Sequence, residues 1–78
     1  MELVKYRVNI YFSNGKSLGF IDIDLDSDKP EDTTSIELRK LINVYNERYQ
    51  EVVQVHSGKA LYYIDIYQIS LIEVIKRH

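Results

Sequence analysis

Two strictly alternating segments meet at Asn14-Gly15, and that junction constrains the chain more than any other feature. Val4, Tyr6, Val8, Ile10 and Phe12 fall on one face of residues 3–12, and Lys5, Arg7, Asn9 and Tyr11 on the other. A period of two is that of a half-buried strand. Asn-Gly is the preferred dipeptide of a two-residue type I′ turn, because both central residues need positive φ. Residues 18–25 alternate again, with Ile21, Ile23 and Leu25 opposed to Phe20, Asp22 and Asp24. With Ser13 and Lys16 flanking the turn, Val8 is expected opposite Ile21, Tyr6 opposite Ile23, and Val4 opposite Leu25. The outer face then pairs Arg7 with Asp22 and Lys5 with Asp24. A one-residue slip would turn one apolar row outward.

The same register sets Tyr11 opposite Leu18 and Asn9 opposite Phe20 on the outer face. Tyr11, Leu18 and Phe20 are therefore expected as an apolar cluster near the hairpin tip. Exposed apolar clusters mark interfaces, so a partner or dimer contact is expected there.

Residues 26–33 (DSDKPEDT) read as a loop. A helix is predicted over 34–50, with Thr34 as N-cap and Glu37 completing a capping box. Leu38, Leu41, Ile42, Tyr45 and Tyr49 form its apolar stripe; Arg39, Asn43, Asn46 and Gln50 form its wet one. Residues 52–56 lead through Ser57-Gly58-Lys59 into a return strand at 60–67. Asp65 assigns its faces, with Tyr62, Ile64 and Ile66 inward and Leu61, Tyr63 and Tyr67 outward. The β-branched tail 69–76 predicts a last strand, with a helical reading through Ile69, Ile72 and Ile75 as the alternative.

The order is ββαβββ in a single domain, 1–78: an α+β fold with a twisted, mainly antiparallel sheet and one amphipathic helix. The segment 64–75 (IDIYQISLIEVI) resembles the closing strand–short turn–strand of small SH3-like barrels, which implies a barrel-like curl. The expected core is Val4, Val8, Ile10, Ile21, Ile23, Leu38, Leu41, Ile42, Tyr45, Val53, Val55, Ile64 and Ile66.

Charge excludes some functions. Net charge is −2, with net −5 between Asp22 and Asp32, so there is no basic footprint for duplex DNA. There is no cysteine, hence no disulfide and no thiolate metal site. The spaced carboxylates Asp22, Asp24, Asp26 and Asp28 suggest calcium, but from Asp24 the glycine and glutamate positions of an EF-hand hold Lys29 and Ser35. No metal or cofactor is expected. Asp26, Asp28, Glu31 and Asp32 are expected free, as a docking surface or as an acidic mimic of nucleic acid that blocks a basic groove. Outward Tyr11, Tyr63 and Tyr67, with Lys59 and Lys76, offer a second alternative, single-stranded RNA binding.

His56 and His78 lack metal-ligand spacing and read as solvated. Ser57 lacks a G-x-S-x-G context, and Gly15-Lys16-Ser17 lacks the upstream glycine of a P-loop. No enzyme is expected. The acidic, alternating N-terminus is unlike a signal peptide, and no apolar run is long enough to cross a membrane, so a cytoplasmic protein is expected. Ten Ile and seven Tyr against one Ala and one Pro suggest an AT-rich genome, a low-GC bacterium or its phage. The leading expectation is a non-enzymatic accessory or inhibitor protein acting by protein–protein binding or self-association.

Overall fold

The computed structural model describes residues 4–77. The expectations at Leu3, the chain's N-terminal start and His78 lie outside the described residues. The elements are β1 (Lys5–Phe12), β2 (Ser17–Ile23), α1 (Thr33–Glu47), β3 (Val52–Ser57), β4 (Ala60–Asp65), a 3-10 turn (Ile66–Gln68) and β5 (Ile69–Arg77). The order is ββαβββ in an α+β fold, as the sequence implies. The strands form two antiparallel sheets instead of one: a three-stranded sheet, β2-β1-β5, and a two-stranded sheet, β3-β4. No hydrogen-bonded ladder joins the two among the described residues. The short turn between β4 and β5 is present, and residues 69–77 are strand, not helix.

The first hairpin departs from its expected register. The Gly15 N–H donates to the Phe12 carbonyl (3.0 Å) and the Phe12 N–H to the Lys16 carbonyl (2.9 Å). These two bonds define a three-residue loop, a type I turn closed by a left-handed residue. Gly15 takes that position at φ 85°, while Asn14 accepts from the Lys16 N–H through its side chain (2.9 Å). One extra loop residue moves the register by one, so Ile10 faces Leu18 and Val8 faces Phe20. A bulge then sets Ile21 and Asp22 against Arg7, and the expected pairing returns at Tyr6 and Ile23. Asp22 absorbs the extra residue at φ 57°; short polar side chains tolerate this region better than branched ones.

The faces of neighbouring residues are therefore exchanged. Phe20 is 3% exposed and enters the core, while Ile21 is 57% exposed. The charge pairs change with them. Asp22 meets Arg77 (3.6 Å), not Arg7. Asp24 is buried and not paired with Lys5. Its Oδ1 accepts the backbone N–H groups of Asp26 (3.2 Å) and Ser27 (3.0 Å), and its own N–H donates to Ser35 Oγ (2.9 Å). Val4 and Leu25, expected as a pair, lie outside the strands and are half-buried.

Asp32, not Thr34, caps the helix. Its carboxylate accepts the Ser35 N–H (2.7 Å) and the Ser35 hydroxyl (2.8 Å). The face it buries carries Ser35, Leu38, Leu41 and Val44. Ile42 and Tyr45 are half-buried and Tyr49 is exposed, because the helix ends at Arg48, a left-handed C-cap at φ 60°. The core joins Val8, Ile10, Phe20 and Ile23 of the first hairpin, Leu38, Leu41 and Val44 of the helix, and Val53, Val55, Ile64, Ile66 and Ile69 of the C-terminal half. No described helix is long and apolar enough to cross a membrane.

Candidate interaction surface

The structure disperses the residues expected as a site. Tyr11 lies on the outer face of the three-stranded sheet, but Leu18 is half-buried opposite Ile10, and Phe20 packs edge-on against Tyr62 with ring centroids 6.1 Å apart. The expected outer cluster does not form, because the extra loop residue turned Leu18 and Phe20 inward. The four carboxylates expected free are split as well. Asp26 accepts from the Tyr6 hydroxyl (2.9 Å) and Asp32 caps the helix. Asp28 and Glu31 are exposed, with no hydrogen bond or ion pair among the described residues.

The electrostatics follow these contacts. The hydrogen bond to Asp26, then desolvation and the carboxylate charge, hold the Tyr6 phenol above its ordinary pKa. Desolvation pushes Asp32 upward, but the Ser35 N–H and hydroxyl bonds outweigh it and its carboxyl sits below the usual range. The charge of Glu73, with Arg7 opposing it, raises Tyr11. His56 is not merely solvated: its ring nitrogen lies 3.0 Å from the Glu37 carboxylate. A shallow cleft of about 430 Å³ at the end of α1, bordered by Arg48, Tyr49, Ile66 and Tyr67, brings together no nucleophile and base. Among the described residues no three His, Asp or Glu side chains converge as metal ligands would.

Strand edges offer more. An unpaired edge presents a row of N–H and C=O groups to any extended chain. The edge of β3 is defended by the helix: the His56 N–H donates to Glu37 Oε1 (2.8 Å), and its carbonyl accepts from the Thr34 hydroxyl. The edge of β2 is broken by the Ile21–Asp22 bulge. β4 has six residues, ending in the 3-10 turn. β5 runs nine residues and pairs only with β1 among the described residues; it bulges at Ser70, where Leu71 and Ile69 meet the adjacent Tyr11 and Phe12, and from Leu71 to Arg77 it is regular and free of proline.

The direction of its backbone groups can be derived. Phe12 points its N–H at Lys16, so even-numbered β1 residues face β2 and odd-numbered ones face β5. Their partners Leu71, Glu73, Ile75 and Arg77 thus bond to β1. Ile72, Val74 and Lys76 point their N–H and C=O groups outward. Along this edge Leu71, Val74 and Ile75 are 54%, 45% and 42% exposed.

Beside the edge sits an ordered polar group. Asn9 Nδ2 donates to Glu73 Oε1 (2.8 Å), the Tyr11 hydroxyl reaches the same oxygen (3.3 Å), and Arg7 Nε donates to Asn9 Oδ1 (3.2 Å). Gly19 lies across from Asn9, where a Cβ would come within 3.1 Å of Asn9 Oδ1. The sequence signal for this edge is the run Leu71-Ile72-x-Val74-Ile75, apolar at both parities where a half-buried strand would alternate. The chain matches no protein-family model, and comparison with curated proteins and with solved structures returns no significant match.

Proposed function

We propose that this chain is a non-enzymatic interaction protein that binds another polypeptide by strand addition along β5. The observation that carries this reading is the undefended edge of β5, with Leu71, Val74 and Ile75 exposed beside it. In strand addition, main-chain hydrogen bonds supply affinity and alternate side chains supply selectivity. A cytoplasmic setting, and an accessory or inhibitor role in an AT-rich bacterium or phage, belong to the same proposal and rest on sequence character. Single-stranded RNA is the weaker reading. Tyr63 and Tyr67 stand exposed, but Tyr67 shares its surroundings with Glu51 and Asp65, where a phosphate chain would meet negative charge. The acidic mimic is weakened by the internal duties of Asp26 and Asp32.

Val74→Pro tests the reading. It deletes an outward N–H and leaves the β1–β5 bonds intact, a placement edge strands tolerate. Wild type and variant are used as bait in a lysate of the native host, and amide exchange is measured on the purified complex. In the free chain Ile72, Val74 and Lys76 exchange fast, while Leu71, Glu73 and Ile75 are protected. Binding is expected to slow the first three about tenfold or more, and Val74→Pro to abolish capture while folding cooperatively. Capture undiminished in the variant, or exchange unchanged at those three amides, refutes strand addition on β5.

A further inference from the structure

We infer that the strand added to β5 is β5 of a second copy of this chain, antiparallel, with the two-fold axis at Ile75. The inference rests on the strand-addition reading and names its partner. An isologous contact needs a surface complementary to itself, and the outer face of β5 carries one. Glu73 and Arg77 lie four residues apart on the same face, and Ile75 lies midway between them. Antiparallel pairing about Ile75 sets Glu73 directly against the partner's Arg77 and Arg77 against the partner's Glu73. Ile75 then packs on the partner's Ile75. On the opposite face Val74 lies under the aliphatic stem of the partner's Lys76.

The backbone permits this register. Outward groups must meet outward groups, which requires even-numbered residues opposite even-numbered ones. Val74 opposite the partner's Lys76 satisfies this and leaves Ile75 at a close pair that bonds only inward. Two neighbouring registers satisfy it equally but fail on charge. Centring on Glu73 sets carboxylate against carboxylate, which is destabilising across strands. Centring on Val74 places Glu73 against the partner's Ile75 and Arg77 against the partner's Leu71, so neither charge meets its opposite.

Glu73 is also prepared for the contact. Asn9 and Tyr11 hold Oε1, while Oε2 has no partner among the described residues. Arg77 is half-exposed and spans 3.6 Å to Asp22, a loose contact that a better-placed carboxylate would replace. The product is a continuous sheet, β2-β1-β5-β5-β1-β2, in which residues 73–77 of each β5 edge are paired. One short strand pair buries less than the standard interface of about 1,600 Å², so the dimer is expected to be weak, with a Kd above about 1 μM.

Analytical ultracentrifugation across about 1 μM to 1 mM reads the association. Arg77→Glu, and separately Glu73→Arg, should each weaken the dimer tenfold or more, and the double swap should recover most of that loss. The chain has no cysteine, so a single introduced one reports geometry cleanly. Cα atoms at a close cross-strand pair are about 4.5 Å apart, within disulfide reach, so Ile75→Cys should oxidise to a covalent dimer and Val74→Cys much less. Rescue by the double swap together with the Ile75→Cys cross-link supports the inference. Preferential cross-linking through Val74→Cys overturns this register and leaves strand addition standing. A chain that stays monomeric throughout, yet captures another polypeptide in a Val74→Pro-sensitive way, overturns the homodimer alone. A dimer indifferent to Val74→Pro overturns both readings.

Discussion

Phe20 and Ile21 are adjacent apolar residues whose roles the bulge decides, and replacing each by alanine tests the register of the first hairpin. Phe20 is 3% exposed, edge-on to Tyr62, and part of the core; Ile21 is 57% exposed. Burying a phenylalanine removes about 200 Å² from water, and at about 25 cal/mol/Å² this stabilises the fold by at most ~5 kcal/mol. Core Phe→Ala substitutions cost about 3–5 kcal/mol. A chain of this length has about 4–12 kcal/mol of stability in all, so Phe20→Ala should remove about a quarter or more of it and lower Tm by more than about 10 °C. Ile21→Ala loses little burial and should stay within about 0.5 kcal/mol of wild type. Urea melts followed by far-UV circular dichroism measure both, with an unchanged slope securing the comparison. The two-residue turn requires the reverse order, with Ile21 costly and Phe20 cheap. A loss at Ile21 equal to or above that at Phe20 would sink the three-residue loop and the bulge together.

Four further substitutions probe the helix and its caps. Asp32→Ala removes the N-cap and should cost about 1 kcal/mol at neutral pH. Because the Asp32 carboxyl is held below its ordinary pKa in the fold, its contribution is complete above the unfolded value and is lost as pH falls through the folded one. Asp32→Asn keeps the cap and should flatten that acid limb in urea melts between about pH 2 and 7. Arg48→Gly relieves a left-handed φ of 60° and should raise stability by about 0.5–1 kcal/mol in the same melts. Glu37→Ala strips the acceptor from the His56 N–H; it should cost about 1 kcal/mol and speed exchange of that amide selectively.

Local patterns were legible where a single period ruled. The second hairpin pairs in one register without interruption, and with Asp65 marking the outer face, Val53, Val55 and Ile64 are buried as expected. Gly58 takes positive φ at the first of two turn positions, so the register there follows from the turn. The first hairpin was harder because Asn14-Gly15 serves two loops. A two-residue turn needs both residues left-handed, whereas a three-residue loop needs only Gly15. The apolar pair Phe20-Ile21 fits either, since one of the two points inward in each register. Ile23 opposes Tyr6 in both, so the correct end of the hairpin concealed the shifted middle. Asp24 was obscured for another reason. Its role depends on the Ser35 hydroxyl, which reaches it only after the loop has folded back.

The functional surface was illegible for a related reason. Tyr11, Leu18 and Phe20 drew attention because they stood apolar on a face assigned to charges, and that assignment fell with the register. Apolar excess on β5 carries no such dependence. Whichever way residues 69–77 face, Leu71 and Ile75 share one side and Ile72 and Val74 the other, so one apolar pair must lie away from the core. Apolar contact alone would leave that strand promiscuous, because Ile, Leu and Val pack acceptably in several registers. Glu73 and Arg77 supply the discrimination. Opposite charges four residues apart on one face can match themselves in antiparallel pairing only about the residue between them, Ile75. In a parallel pair in register, each would meet its own kind. The edge thus draws affinity from hydrogen bonds and apolar cover and its register from two side chains, and for that reason the charge swap is a sharper test than truncation of any isoleucine.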